Sequence, residues 1–141
     1  MSSITSLTTT QIAALSTAAI AGLSTTDAAA LTSAQMAVFS STQLAAFGAA
    51  NVAALQTASL TALSSTAISG LTSAEASALT TAEVTALSAA QLGALTTAAV
   101  QGFGANISAI GTAAFGGLGS AQVAALTTLR RHPSPAIRRR R

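Results

Sequence analysis

A large apolar residue returns every eight positions along most of the chain: Leu7, Leu15, Leu23, Leu31, Phe39, Phe47, Leu55, Leu63, Leu71, Leu79, Leu87, Leu95 and Phe103. One residue is then lost, because Phe103 to Ile110 spans seven, and the period resumes at Leu118 and Leu126. A second apolar residue stands five places after the first, at Ile12, Ile20, Met36, Leu44, Val52, Leu60, Ile68, Val84, Leu92, Val100, Phe115 and Val123. A fixed period of this kind constrains the fold more than any single residue does.

An eight-residue period suits few structures. One continuous α-helix advances 100° per residue, so eight residues overshoot two turns by about 80° and the Leu stripe would spiral around the rod. Long coiled coils need periods of seven or eleven. In a strand, positions five apart face opposite ways, and alanine disfavours strands. A β-solenoid stays open as an alternative, although turn glycines are sparse.

The repeated phrase itself points to short helices. In "LTTTQIAAL", Thr8 stands where an N-cap belongs and Gln11 falls at the third helical position, which is the capping box S/T-x-x-E/Q. Leu7 and Ile12 have the spacing of a hydrophobic staple. The register recurs at Thr32/Gln35, Ser40/Gln43, Thr72/Glu75, Thr80/Glu83 and Ser88/Gln91. Each octad therefore reads as cap, one to two helical turns, and a closing Leu that opens the next unit. Such helices do not survive alone, because nucleation costs more than a few hydrogen bonds return. They must stack, and the fold expected is an all-α repeat solenoid of short capped helices, about one per eight residues. Fusion of neighbouring octads into longer kinked helices stays open, since Ser and Thr penalise it only mildly.

A further signal suggests pairing into 16-residue units. The octads from Leu15, Leu63 and Leu95 carry Ala at the box position and end in Gly22, Gly70 and Gly102, with separations of 48 and 32 residues. Those glycines fit C-caps or points of close packing. Residues 1–6 form a lead-in, 7–129 the octad array, loosened near the glycines of 103–119, and 130–141 an Arg-rich tail expected to be disordered.

Charge is segregated in the same way. Residues 1–129 carry only Asp27, Glu75 and Glu83, a formal −3, while the last twelve carry Arg130, Arg131, Arg138, Arg139, Arg140 and Arg141, a formal +6. A body with so little charge is poorly protected against self-association. There is no cysteine, hence no disulfide or thiolate chemistry. The start "MSSITSL" has neither the basic residues nor the apolar run of a secretory signal, and no stretch reads as a transmembrane helix.

The phrases "LTTTQIAALSTAAIAGL" and "LTTAEVTALSAAQLGAL" resemble low-complexity octapeptide repeats of large bacterial proteins, often labelled adhesin-like, surface-repeat or haem-utilisation proteins. The resemblance runs from Leu7 to Leu129. It implies a repeat fold and an extracellular or cell-surface setting. No haem-ligand pattern carries over, because the array has no His, Cys or Tyr. The Arg-rich end departs from a secreted repeat protein.

Little chemistry is encoded. His132, the one histidine, lies in the tail with no framework to position it. Asp27, Glu75 and Glu83 all occupy the box position, where a carboxylate caps a helix N-terminus. Glu75 and Glu83 without His or Asp partners make a poor metal site. "NIS" at Asn106 matches a glycosylation acceptor. Met36 and the four Phe fall on or beside the anchor rows and read as core.

The expected function is therefore non-enzymatic: a structural or interaction module that associates with itself or with another protein, without cofactor, metal or small-molecule substrate. Two alternatives stay open. Aligned Ser and Thr rows would bind ice or glycan, against the reading that those hydroxyls bond their own helix amides. The six tail arginines would contact nucleic acid or anionic membrane.

Overall fold

The computed structural model describes residues 4–130. Among them the regular structure is entirely helical. The helices are α1 (Thr9–Ala13), α2 (Thr17–Ala21), α3 (Thr25–Ala30), α4 (Ser33–Met36), α5 (Ser41–Phe47), α6 (Ala49–Ala54) and α7 (Thr57–Thr61). They continue with α8 (Ser65–Ile68), α9 (Ser73–Ala78), α10 (Thr81–Ala86), α11 (Ala89–Ala94), α12 (Thr97–Gly102), α13 (Thr112–Phe115) and α14 (Ser120–Arg130). Short 3-10 helices occupy Ile4–Ser6 and Gly104–Ala109.

Each octad up to Leu118 thus holds one short helix, and corners such as that at Leu79 are made by consecutive extended residues, while Phe47 and Phe103 are helical and followed by glycines at positive φ. Leu79 (φ −68°, ψ 137°) and Thr80 (φ −74°, ψ 161°) are representative of the extended corners. The corner residue's N–H donates to the second-anchor carbonyl three back, as in Leu15 to Ile12 (3.1 Å) and Leu63 to Leu60 (3.2 Å). This closes the helix while the chain leaves in a new direction.

Every helix packs on the helix three octads away. One face stacks α1, α4, α7, α10 and the Gly104–Ala109 helix. A second stacks α2, α5, α8, α11 and α13, and a third stacks α3, α6, α9, α12 and α14, with Ile4–Ser6 beneath α3. The molecule is a three-sided solenoid whose coil is three octads, 24 residues, rather than the pair of octads suggested by the glycine spacing.

Both anchor rows line one continuous core. The second anchors Ile12, Ile20, Met36, Leu44, Leu60, Ile68 and Leu92 are sealed from solvent, and corners such as Leu31, Leu63, Leu71, Leu79 and Leu87 nearly so. Burying a Leu or Ile completely is worth about 1.5–3 kcal/mol, which offsets the nucleation deficit of helices this short. On the third face the octads below and above Phe47's octad carry Ala28 and Ala76 as second anchors. Small anchors there balance the bulk of Phe47, whose ring meets Phe39 edge-on at 5.7 Å.

The seven-residue octad keeps its place by changing helix type. Gly104–Ala109 is 3-10 rather than α. Six residues of 3-10 helix advance about 12 Å where six of α-helix advance about 9 Å, and the difference is close to one extended residue. The opposite happens at Leu126. There α14 runs straight through the corner to Arg130, so the regular array ends in a fused helix. The octad opening at Leu126 has Arg130 where Gln or Glu closes a box, and Thr127 donates to the Ala124 carbonyl (2.7 Å) instead of capping.

The Ala-and-Gly octads mark close approach between coils. A Cβ at Gly70 would stand 1.9 Å from the Ser41 carbonyl oxygen, and one at Gly102 would stand 2.4 Å from that of Ser73. A fourth such octad, hidden by the lost residue, has Ala114 and Gly117, where a Cβ would fall 2.2 Å from the Ala89 oxygen. Gly22 lies in the first coil, and among the described residues a Cβ there would meet the carbonyl oxygens of its own helix, Ala18 at 3.5 Å and Ala19 at 3.6 Å. Gly70→Ala should therefore destabilise by about 1–3 kcal/mol through overpacking against backbone. Gly22→Ala should be neutral or stabilise by up to about 1 kcal/mol, by restricting the unfolded chain. Urea denaturation of the two variants distinguishes them, and equal losses would contradict the assigned packing.

Candidate functional site

The polar residues that recur most regularly are those at the box position, and the fold gives them two partners. In its own octad, each Gln or Glu side chain accepts the N-cap backbone N–H. Thr32 donates to Gln35 Oε1 (3.0 Å), Ser40 to Gln43 (2.9 Å) and Ser88 to Gln91 (3.0 Å), while the cap hydroxyl accepts the box residue's own N–H. All six capping boxes expected from the sequence are formed, and Ser24/Asp27 adds another.

The second partner lies one coil earlier. Gln35 Nε2 donates to the carbonyls of Ile4 (2.9 Å) and Leu7 (3.0 Å), and Gln43 Nε2 to those of Ile12 (3.0 Å) and Leu15 (2.9 Å). Gln91 reaches Leu63 (2.9 Å), and Gln122 reaches Leu92 (2.8 Å) and Leu95 (2.6 Å). The targets are an anchor carbonyl and a corner carbonyl, left pointing along the stack where the chain turns. A primary amide has one acceptor oxygen and two N–H donors, so one Gln satisfies an N-cap and two carbonyls at once. Shorter residues reach only the corner: Asn51 to Leu23 (3.0 Å), Ser59 to Leu31 (2.9 Å) and Asn106 to Leu79 (2.9 Å).

A carboxylate has no N–H to give, and the two buried ones are accommodated differently. Glu75, 1 % exposed, accepts from Thr72 N on one oxygen (2.9 Å) and from Gly48 N on the other (2.9 Å). Gly48 makes this possible by adopting φ 86°, ψ 151°, a region essentially confined to glycine, which presents an N–H where other corners present a carbonyl. Glu83, 4 % exposed, has no such counterpart. Its hydrogen bonds all run to Thr80, and the corner one coil beneath is an ordinary Leu55.

Asp27, Glu75 and Glu83 each bond the N-cap of their own helix. Among the described residues no group of three His, Cys, Asp or Glu gathers, and no helix is long and apolar enough to cross a membrane. The N-cap hydroxyls of Thr8, Ser16, Thr32, Ser40, Ser64, Ser88 and Thr96 accept from their own helices, whereas the next position, at Thr9, Ser33, Thr57 and Thr81 on the first face, is exposed. Arg130 ends α14. Arg131, Arg138, Arg139, Arg140, Arg141 and His132, with the expectation of a disordered tail, lie outside the described residues.

Glu75→Gln sets an amide N–H against the Gly48 N–H and should cost about 1–3 kcal/mol. Glu83→Gln supplies the missing donor to the Leu55 corner and should stabilise by about 0.5–1.5 kcal/mol. Opposite signs in chemical denaturation are the expected outcome; a loss from both would refute the bridging role of this position.

Residues 4–41 match a family model described as "ALTTAQ repeat", so that part of the chain is similar to a known repeat family. No curated protein and no solved structure matches the chain.

Proposed function

We propose that this repeat array is a non-enzymatic structural module: a stiff three-sided spacer whose sides offer protein contact. The observation that carries the reading is where the polar chemistry goes. Box amides and the Glu75 carboxylate bridge helix starts and preceding coils inside the stack. The sides are left mainly with Ala, Ser, Thr and Gly. The three described acidic side chains each cap their own helix instead of meeting in a cleft, the usual setting of acid–base chemistry. The bacterial-repeat resemblance supports a surface setting in the same sense.

A spacer lengthens by whole coils. Duplicating Leu79–Gly102, which is 24 residues, should add about 8–10 Å between labels at Thr9→Cys and Thr112→Cys, the usual distance between packed helices. Both positions are exposed and the chain has no cysteine of its own. An unchanged or greatly broadened distance in pulsed electron spin resonance would defeat the spacer reading.

The charge segregation favours a second reading, contact of the arginine tail with nucleic acid or anionic lipid. Truncation after Leu129 should then abolish salt-sensitive binding to single-stranded DNA and to vesicles containing phosphatidylserine. Binding that survives truncation would exclude it.

A further inference from the structure

The two ends of the stack expose the two halves of the interface that joins coils throughout its length. Anchors lean toward the following coil. In the interior Val84, Leu92 and Val100 are sealed from solvent, but in the last coil Ile107 and Val123 are half-buried and Phe115 is 40 % exposed. They border an apolar hollow of about 870 Å³ with Ile110, Leu126 and Thr127, drawn from all three sides. Corners lean toward the preceding coil. Leu31, Phe39 and Leu55 are buried, whereas Leu7, Leu15 and Leu23 of the first octads are only half-buried.

The hydrogen bonds divide in the same way. At the first coil Gln11 holds Thr8 N through Oε1 (2.8 Å), and its Nε2 has no acceptor among the described residues. At the last coil the anchor and corner carbonyls of the pairs Ile107/Ile110 and Phe115/Leu118 receive no box side chain among the described residues. One end offers the Gln11 amide donor and apolar corners, with no donor at Ala19 and a carboxylate at Asp27; the other offers acceptors and an apolar socket.

We propose that the C-terminal end of one copy seats the N-terminal end of a second copy, so that chains join head to tail with the coil continued across the junction. The chain's own sequence beyond α14 is a poor occupant of the socket. The position that would be the next second anchor is Arg131, and residues 131–141 include one large aliphatic side chain, Ile137. Charge favours the same polarity, because the body has formal charge −3, including half-buried Asp27 near the first coil, and the sequence from Arg130 onward has +6. A heterologous contact of this kind does not close on itself and builds filaments. The proposal rests on the structural reading above and specifies its partner.

The test uses the full chain with one end blocked at a time. Ala19→Arg places a long cation at an exposed box position of the first coil, and Phe115→Asp places a charge in the socket. Thr127→Arg at the exposed rim replaces Phe115→Asp if circular dichroism shows that the latter unfolds. In sedimentation velocity the unmodified chain should form a concentration-dependent series of oligomers. Each blocked variant should lose at least about tenfold in association constant, a change of about 1.4 kcal/mol. An equimolar mixture of an N-blocked and a C-blocked variant should associate again but stop at dimers, through the one intact pair of ends. The proposal is overturned if the unmodified chain stays monomeric, if either variant associates as the unmodified chain does, or if the mixture stays monomeric. A folded monomer of this kind would leave the spacer reading standing, since the label distances test that reading separately.

Discussion

The side chain at the box position is the interaction on which the rest of the structure depends. A helix of five or six residues has more orphan backbone groups than internal hydrogen bonds, and a solenoid that turns every eight residues multiplies such ends. Gln35, Gln43, Gln91 and Gln122 resolve this by serving two ends simultaneously, the start of their own helix and the finish of one a coil earlier. Capping and stacking are therefore the same event. The interior bridges hold the coils at a common register, and the anchors then fill a core of uniform width.

Departures from the pattern are compensated locally. Where Ala replaces the bridging amide at Ala67, Ala99 and Ala114, the octad ends in Gly70, Gly102 or Gly117, and that backbone lies against the coil beneath. Where Glu75 replaces Gln, Gly48 turns its peptide to supply the donor. Where a residue is missing, the 3-10 helix Gly104–Ala109 covers the distance and Asn106 takes over the bridge. The compensating contacts, Gly70 with Ser41, Glu75 with Gly48 and Asn106 with Leu79, each reach about one coil back along the sequence.

The inward use of polar groups also shapes what the outside can do. With Glu75 buried in a bridge to Gly48 and Glu83 buried against its own Thr80, the described sides carry small, mostly uncharged residues. At the ends the same donors, acceptors and apolar residues that join coils inside are left open. Self-association by continuation of the coil uses no chemistry foreign to the interior of the molecule.

The octad period, the capping boxes and the two anchor rows were legible from sequence alone, because they arise from interactions within nine residues: cap to third helical amide, and staple residue to fourth helical residue. Helical class and repeat architecture followed from them. Three octads per coil did not, since the direction taken at a corner depends on extended residues such as Leu79 and Thr80 and on which octads then meet. The glycines at 22, 70 and 102 looked like markers of a 16-residue unit. Two of them instead record close approach to Ser41 and Ser73, contacts between residues 29 apart that no local pattern displays. The second role of the box amide was hidden for the same reason, as its acceptors lie 28 and 31 residues away. Local hydrogen bonding determined what each octad is; only the stacked coil decided what it touches, because those partners exist only after the chain has turned three corners and returned.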